Sequence, residues 1–250
     1  MSPGVGRRRF APQAWAVVLT ALLVAAFLSL GWWQLGRARE KRAMLESFEH
    51  GTTSSVALDG AVIDVLPRYQ HVSADGRYEP GRQILLDNMP SSTGQPGYRV
   101  LTPLHRGGAE RVLLVDRGWV PLGATRQQLP AVTVEAGPRS VAGRLDQLPV
   151  PGVRVGSAQA EGEMGWPRVL NFPTQADVET ALGQAVESRI LLLDASSPDG
   201  YQRDWRPSVG FPPERHLGYA IQWFALAVTL VVIFVALSLK SVTGEGSNGT

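Results

Sequence analysis

His216 is the residue whose type and position best suit chemistry in this sequence. It follows a segment rich in proline and aromatic residues, 204–215, and it stands at the start of a long apolar run. On a helix, His216 shares one side with Tyr219, Ala220 and Trp223. A neutral imidazole at such a site is a suitable axial ligand for haem iron, and the aromatic neighbours would flank a flat apolar macrocycle. The alternative is a polar anchor among lipid headgroups, a common role at the end of a membrane span.

Two glutamines within apolar surroundings form a second candidate pair. Gln34 lies late in the first apolar run of the chain, and Gln222 lies early in the last one. We expect both at comparable depth near the same membrane face. A hydrogen bond between them would hold two helices together and would contribute about 0.6 kcal/mol. A contact to a substrate is the alternative interpretation.

Motifs for enzyme chemistry do not occur in the sequence. It has no serine nucleophile elbow, no His-Glu-x-x-His motif and no glycine-rich phosphate loop. The absence of cysteine excludes disulfides, thiolate metal sites and thioether-linked haem. The other three histidines, His50, His71 and His105, are expected at exposed positions. We therefore predict no catalytic residue, with His216 as the candidate metal ligand.

The elements that must position these residues are two apolar segments at the ends of the chain. Residues 10–36 and 217–239 carry no charged side chain, and each exceeds the roughly 20 residues that cross a bilayer as a helix. We predict transmembrane helices over 13–36 and 217–239. The paired tryptophans at the end of the first run, followed by Arg37, are typical of a retained anchor at a membrane interface. A cleaved or twin-arginine export signal is the alternative.

Two spans place both termini on one side of the cell membrane, which we predict to be the cytoplasmic side. The predicted topology has a cytoplasmic N-terminus at 1–12, an extracytoplasmic domain at 37–216 and a disordered tail at 240–250. The net charge of the whole chain is only +2. A nearly neutral middle segment argues against nucleic-acid binding, which needs clustered basic residues.

The middle segment is predicted to be mainly β, of the α+β class, with an antiparallel sheet or small barrel. Good helix formers over 37–49 predict a juxtamembrane helix that continues the first span. A second helix is predicted over 174–182, with Thr174 and Asp177 as a capping box. Pro and Gly recur from 148 to 167 and predict a long loop. Short strands are predicted over 69–78 with a turn at Asp75-Gly76, and over 83–86, 98–104, 111–120, 140–145 and 189–193.

A charged pair within an apolar strand distinguishes the block from Leu113 to Pro121. The pair is Asp116-Arg117, followed by Gly118 and Trp119. We interpret the block as a sheet edge that turns at Gly118, with Arg117 as a partner for a carboxylate.

Three blocks in this order resemble the surfeit-locus-one family of cytochrome c oxidase assembly proteins. They are Leu-Gly-Trp-Trp-Gln-Leu-Gly-Arg at 30–37; Gly-Tyr-Arg-Val-Leu-Thr-Pro-Leu at 97–104 with Val-Asp-Arg-Gly-Trp-Val-Pro at 115–121; and His-Leu-Gly-Tyr-Ala-Ile-Gln-Trp-Phe at 216–224. No single block is specific, whereas the ordered set between two spans is. Asp116 departs from the pattern, because family members often carry Asn there.

The resemblance implies a non-catalytic membrane chaperone of the respiratory chain. Its implied cofactor is haem a, bound transiently by His216 with Tyr219 and Trp223. Its implied partners are the catalytic subunit of cytochrome c oxidase, haem a synthase and the lipid bilayer. The residues that the blocks single out for structure are Gln34, Arg37, Arg117, Trp119 and Gln222. A structural clamp for an oxidase subunit without haem, or a membrane-anchored enzyme, remains the alternative.

Overall fold

The computed structural model describes residues 8–51, 54–59, 63–123, 125–150, 165–207 and 210–241. Most of the predicted loop at 148–167, most of the predicted tail at 240–250 and residues 1–7 lie outside these ranges. The described elements, in chain order, are β1 (Arg8–Phe10), α1 (Ala14–His50), β2 (Ser55–Ala57), a 3-10 turn (Ile63–Val65), β3 (His71–Tyr78), β4 (Ile84–Leu86), β5 (Gly97–Arg106), β6 (Val112–Pro121), β7 (Pro138–Asp146), β8 (Arg168–Leu170), α2 (Gln175–Leu182), β9 (Val186–Leu193), α3 (Pro213–Ser238) and β10 (Leu239–Ser241).

The chain divides into two units, which we name the helical hairpin and the barrel domain. The helical hairpin comprises residues 1–45 and 208–250, and the barrel domain comprises residues 46–207. The compact barrel domain is therefore shorter at both ends than the predicted segment 37–216. The helix α1 continues without a break to His50, so the juxtamembrane residues belong to the same helix as the first span.

The helical hairpin contains the two helices that are long and apolar enough to cross a membrane. Only 6% of the apolar window of α1 and 11% of that of α3 is buried. A core helix of a water-soluble protein would be mostly buried, whereas a lipid-facing helix presents its apolar surface outward. The protein is thus a membrane protein with two spans. At the end of the hairpin, β1 pairs with β10 in an antiparallel ribbon, so the two ends of the described chain meet on one side.

The barrel domain is built on one eight-stranded sheet in the order β2-β3-β7-β9-β6-β5-β4-β8. A further antiparallel pairing joins Gly76–Tyr78 of β3 to Leu104–Arg106 of β5. This pairing closes β3, β7, β9, β6 and β5 into a five-stranded barrel. A small barrel was one of the two predicted architectures. The sheet is mixed and not antiparallel, because β6 runs parallel to β9, β2 to β3, and β4 to β8.

Apolar residues fill the barrel and also cover its outer wall. The interior cluster includes Val72, Tyr78, Leu113, Val115 and Leu191, all nearly inaccessible. The alternate residues of β6 and β9 point outward and pack with α2 in a second cluster. Burial on both faces explains why these strands appear in the sequence as continuous apolar runs and not as alternating patterns.

The helix α2 begins and ends as its sequence predicts. The Thr174 hydroxyl accepts a hydrogen bond from the Asp177 amide, and the Asp177 carboxylate accepts one from the Thr174 amide, which forms the predicted capping box. Gly183 ends the helix in the left-handed region at φ 67°, where an L-residue would be strained. This helix lies against the outer wall of the barrel through Val178 and Leu182.

Two local predictions are wrong. We predicted a turn at Asp75-Gly76, but β3 continues through both residues because each pairs with β7. We also predicted a sheet edge at Gly118, but β6 lies between β5 and β9 with partners on both sides. Gly118 adopts φ 115° within the strand, which allows the Trp119 amide to donate to the Gln202 carbonyl oxygen.

Candidate functional site

His216 lies in the first turns of α3 and is held by a side chain of α1. Pro213 begins the helix, where the missing proline N–H is not needed. The Nδ1 atom of His216 is 2.7 Å from Oε1 of Gln34. An amide oxygen only accepts hydrogen bonds, so Nδ1 carries the proton in this pair. In the neutral ring Nε2 then keeps its lone pair, and no described residue makes a hydrogen bond to it.

This partner of Gln34 is not the one that the sequence suggested. We expected Gln34 to bond Gln222, whereas the structure joins Gln34 to His216 and leaves Gln222 exposed on α3. The reason is geometric: positions 216 and 222 are six residues apart, so they do not share a face of a helix. The available signal was depth in the membrane, because Gln34 lies late in the first span and His216 lies at the start of the second, near the same membrane face.

Small residues allow the two helices of the hairpin to approach each other. Ala220 and Ala227 of α3 are buried, as is Gly31 of α1. A Cβ atom placed on Gly31 would lie 2.5 Å from the Phe224 ring, so only glycine fits under that ring. Close packing through small residues is a common basis of helix association in membranes.

The three residues proposed together as a cofactor site differ in exposure and in neighbours. Trp223 faces α1, where its ring centroid is 5.7 Å from that of Phe27. Tyr219 is 44% exposed. His216 is half-buried, and its ring centroid is 6.4 Å from that of Phe211. The exposed aromatic residues nearest in sequence to the imidazole are therefore Phe211 and Tyr219.

The charged residues that follow the first span lie at the surface of α1. Arg37 bonds Glu40 at 2.7 Å, and both side chains are largely exposed. An ion pair of this kind contributes less than about 1 kcal/mol. Arg37 therefore has a local partner on its own helix.

Arg117 stabilises the barrel domain through carbonyl groups and not through a carboxylate, contrary to our prediction. It is 3% exposed. Its guanidinium donates to the carbonyl oxygens of Asp199, Val132 and Thr133. The side chain also lies 4.9 Å from the centroid of the Tyr201 ring. Arg117 thus joins two loops to the barrel wall, the loop between β6 and β7 and the segment that follows β9.

The carboxylate of the neighbouring Asp116 pairs with Arg99, a contact that the sequence did not indicate. Asp116 is fully buried and also accepts a hydrogen bond from the Gly118 amide at 3.1 Å. Burial raises the pKa of Asp116, and the adjacent Arg99 opposes that shift. Arg99 in turn stacks on the Trp205 ring at 4.9 Å. Trp119 donates its indole N–H to the Met89 carbonyl oxygen at 2.8 Å, so it also has a structural role.

Two histidines of the barrel domain contact carboxylates. His71 contacts Asp194 at 2.7 Å, and His105 contacts Glu79 at 3.0 Å. Burial of Glu79 acts to raise its pKa, but hydrogen bonds from His105 and Gln184 outweigh it and lower the pKa overall. Within the described ranges no group of three His, Asp or Glu side chains could hold a metal ion.

The imidazole of His216 is suited to a haem group. A metal-bound histidine commonly donates its second ring N–H to an acceptor, which fixes the tautomer and the ring orientation. The Gln34 oxygen supplies that acceptor to Nδ1 and thereby leaves Nε2 as the nitrogen with the available lone pair. One such nitrogen beside exposed aromatic surface is the donor chemistry of a haem with a histidine axial ligand.

The fold and this site define a two-span membrane protein with a small β-barrel domain and a histidine positioned between its spans. Residues 21–228 match the SURF1 family. The chain is 29% identical to a SURF1-like protein of Rickettsia felis over 83% of this chain and 90% of the relative. It is 27% identical to a SURF1-like protein of Rickettsia conorii over 87% and 88% of the two chains. It is 24% identical to Surfeit locus protein 1 of Takifugu rubripes over 88% and 96%.

The chain therefore belongs to the SURF1 family, a family of oxidase assembly factors and not of enzymes. The matched segment includes the whole barrel domain and part of each span. The resemblance seen in the three sequence blocks is thus confirmed at the level of the family.

Proposed function

We propose that this protein holds haem a transiently through His216 and assists its delivery to the catalytic subunit of cytochrome c oxidase. The observation that carries the proposal is the hydrogen bond from Nδ1 of His216 to Oε1 of Gln34. It places the proton on Nδ1, so that the lone pair of the neutral ring is on Nε2 and available for iron. Haem a synthase would be the source of the haem.

The residues of this chain would bind and orient, and the chemistry would be that of the cofactor. Haem a, when bound, supplies an iron centre that takes up the imidazole lone pair. Gln34 fixes the tautomer, and the outward surface of Phe211 and Tyr219 would contact the macrocycle. A half-buried ligand that is open on one side suits release, since a carrier must not retain its cargo.

The test is an absorption spectrum of the full chain purified in detergent from cells with and without haem a synthesis. We expect a Soret band only when haem a is made. The variant His216→Ala should lose the band while it still inserts into the membrane. His50→Ala and His105→Ala are matched controls that should keep it. An unchanged band in His216→Ala would refute the role of His216 and favour the polar anchor or the structural clamp.

Gln34 offers a sharper test, because it touches the ligand and not the iron. Gln34→Leu removes the acceptor at nearly constant volume and should weaken haem binding about 10- to 100-fold, the usual effect of losing such a partner. Gln34→Glu retains an acceptor oxygen and should restore most of the affinity. Equal affinities in both variants would contradict the positioning role.

The proposed location is the cell membrane, with both termini in the cytoplasm and the barrel domain outside it. The paired strands β1 and β10 support the common side of the termini. Reporter fusions at residues 6 and 248 should both read cytoplasmic, and one near residue 156 should read exported. A mature chain that begins after residue 30 would contradict two retained spans.

A deletion strain should lose oxidase activity, and normal activity there would refute the assembly role.

A further inference from the structure

An apolar groove lies at the end of the helical hairpin where α1 begins and α3 ends. Its volume is about 380 Å³. The walls are mainly apolar and include Trp15, Leu19, Ile233, Phe234 and Leu237. Residues 11–13 at its end directly follow β1, and residues 237–238 directly precede β10. The amide of Ala11 donates to the Ser238 carbonyl oxygen at 2.9 Å and joins the two sides there.

We name the ribbon of β1 and β10 the terminal clip, and within it two basic residues lie at directly opposed positions. Arg9 and Lys240 are direct cross-strand partners, and Arg8 precedes Arg9. A ribbon of only two strands is marginally stable in water. Like charges at directly opposed positions destabilise it further. An anion bound at the clip would remove that repulsion.

We propose that the terminal clip and the groove together bind one anionic phospholipid. The headgroup would neutralise the positions of Arg9 and Lys240, and an acyl chain would lie along the groove. Trp15 is 66% exposed, and its indole N–H bonds the Gln13 side chain at 2.7 Å. An amphipathic aromatic ring at the beginning of a span is typical of the membrane interface. The site uses none of the residues assigned to haem, so the two proposals can fail separately.

The test is quenching of Trp15 fluorescence by brominated lipids added to the delipidated full chain in detergent at low salt. Subtraction of the signal of Trp15→Phe isolates the contribution of this tryptophan. We expect brominated phosphatidylglycerol to quench it at much lower concentration than brominated phosphatidylcholine. A basic residue near an anionic surface changes affinity about fivefold, so the double variant R9Q/K240Q should reduce the preference by roughly 25-fold.

A matched control removes two exposed cations elsewhere on the hairpin. The double variant R39Q/R42Q should keep the preference, because Arg39 and Arg42 lie far along α1 from the clip. Inorganic phosphate at millimolar concentration should not displace the lipid, since it cannot fill the groove. Equal quenching by the two lipids in the native chain would overturn the proposal. So would a preference that persists in R9Q/K240Q or disappears equally in R39Q/R42Q.

Discussion

Asp116 and Arg99 form a buried pair, and replacing one or the other should lower the unfolding free energy by unequal amounts. Asp116 is fully buried, whereas the Arg99 side chain is 20% exposed and can turn toward water. Removal of one member of a buried pair costs about 3–5 kcal/mol of unfolding free energy. We expect Arg99→Met near 5 kcal/mol, because it leaves a carboxylate without access to solvent. Asp116→Asn should cost about 3 kcal/mol or less, because the amide still accepts from the Gly118 N–H.

The pH dependence of Arg99→Met gives this prediction a second measurement. Burial already raises the pKa of Asp116, and loss of Arg99 raises it further. At a pH between the pKa of Asp116 in the unfolded state, near 4, and its pKa in the folded variant, this carboxyl group is protonated in the native state and ionised in the unfolded state. Stability therefore rises as the pH falls, by about 1.4 kcal/mol per pH unit in that window.

Urea unfolding of the full chain in detergent, followed by near-UV circular dichroism, measures both effects. The difference between Arg99→Met and the native chain should shrink from pH 7 to pH 5. The same difference for Asp116→Asn should not shrink, because that variant lacks the titrating carboxyl group. Equal losses in the two variants, or a pH-independent loss in Arg99→Met, would refute the asymmetry of burial on which the reasoning rests.

Three further predictions concern packing and ionisation. Gly143→Ala should cost about 3 kcal/mol in urea unfolding, because its Cβ would lie 2.0 Å from a carbonyl oxygen of β9; Gly107→Ala, at an open position, should not. Gly31→Ala should weaken the hairpin by about 1–3 kcal/mol in detergent unfolding, whereas Gly36→Ala meets no atom and should be neutral or stabilising. Burial raises the pKa of Tyr78 to about 12. The native chain should therefore lose about 3 kcal/mol as the pH rises from 10 through 12, and Tyr78→Phe should remove that loss.

Each of these predictions has an outcome that contradicts it. Equal urea midpoints for Gly143→Ala and Gly107→Ala would mean that β7 can move away from β9 at little cost in free energy. A hairpin unaffected by the alanine at 31 would mean that the facing aromatic ring turns aside freely. Identical alkaline unfolding of Tyr78→Phe and the native chain would assign the transition to another group.

The long strands could be predicted because their ends carry turn residues and their cores carry apolar runs. Strands β5, β6 and β9 appear near the predicted ranges, and the Thr174 capping box is confirmed. The edge strands β2 and β8 could not be predicted, because three residues give no period to detect and neither is a wholly apolar run like β4. The parallel pairing of β6 with β9 was also hidden, since pairing direction depends on the path of the chain between the strands.

The candidate site shows the same division between local and long-range information. The sequence identified His216 from its position at the start of a span. It did not identify Gln34 as the partner, because that contact joins residues 182 apart in the chain. Helical spacing placed Tyr219 beside Trp223, but only the contact with α1 decides which of them faces inward.

Closure of the barrel has a consequence for how the protein survives before it meets its partners. An open sheet exposes unpaired backbone groups along its outer strands, and these recruit other chains into aggregates. Here the pairing of β3 with β5 leaves only β2 and β8 at the ends of the described sheet, each three residues long. Such short strands offer too few backbone groups to template a foreign strand. The barrel domain can therefore wait at high local concentration in a crowded membrane without nucleating strand-mediated aggregation.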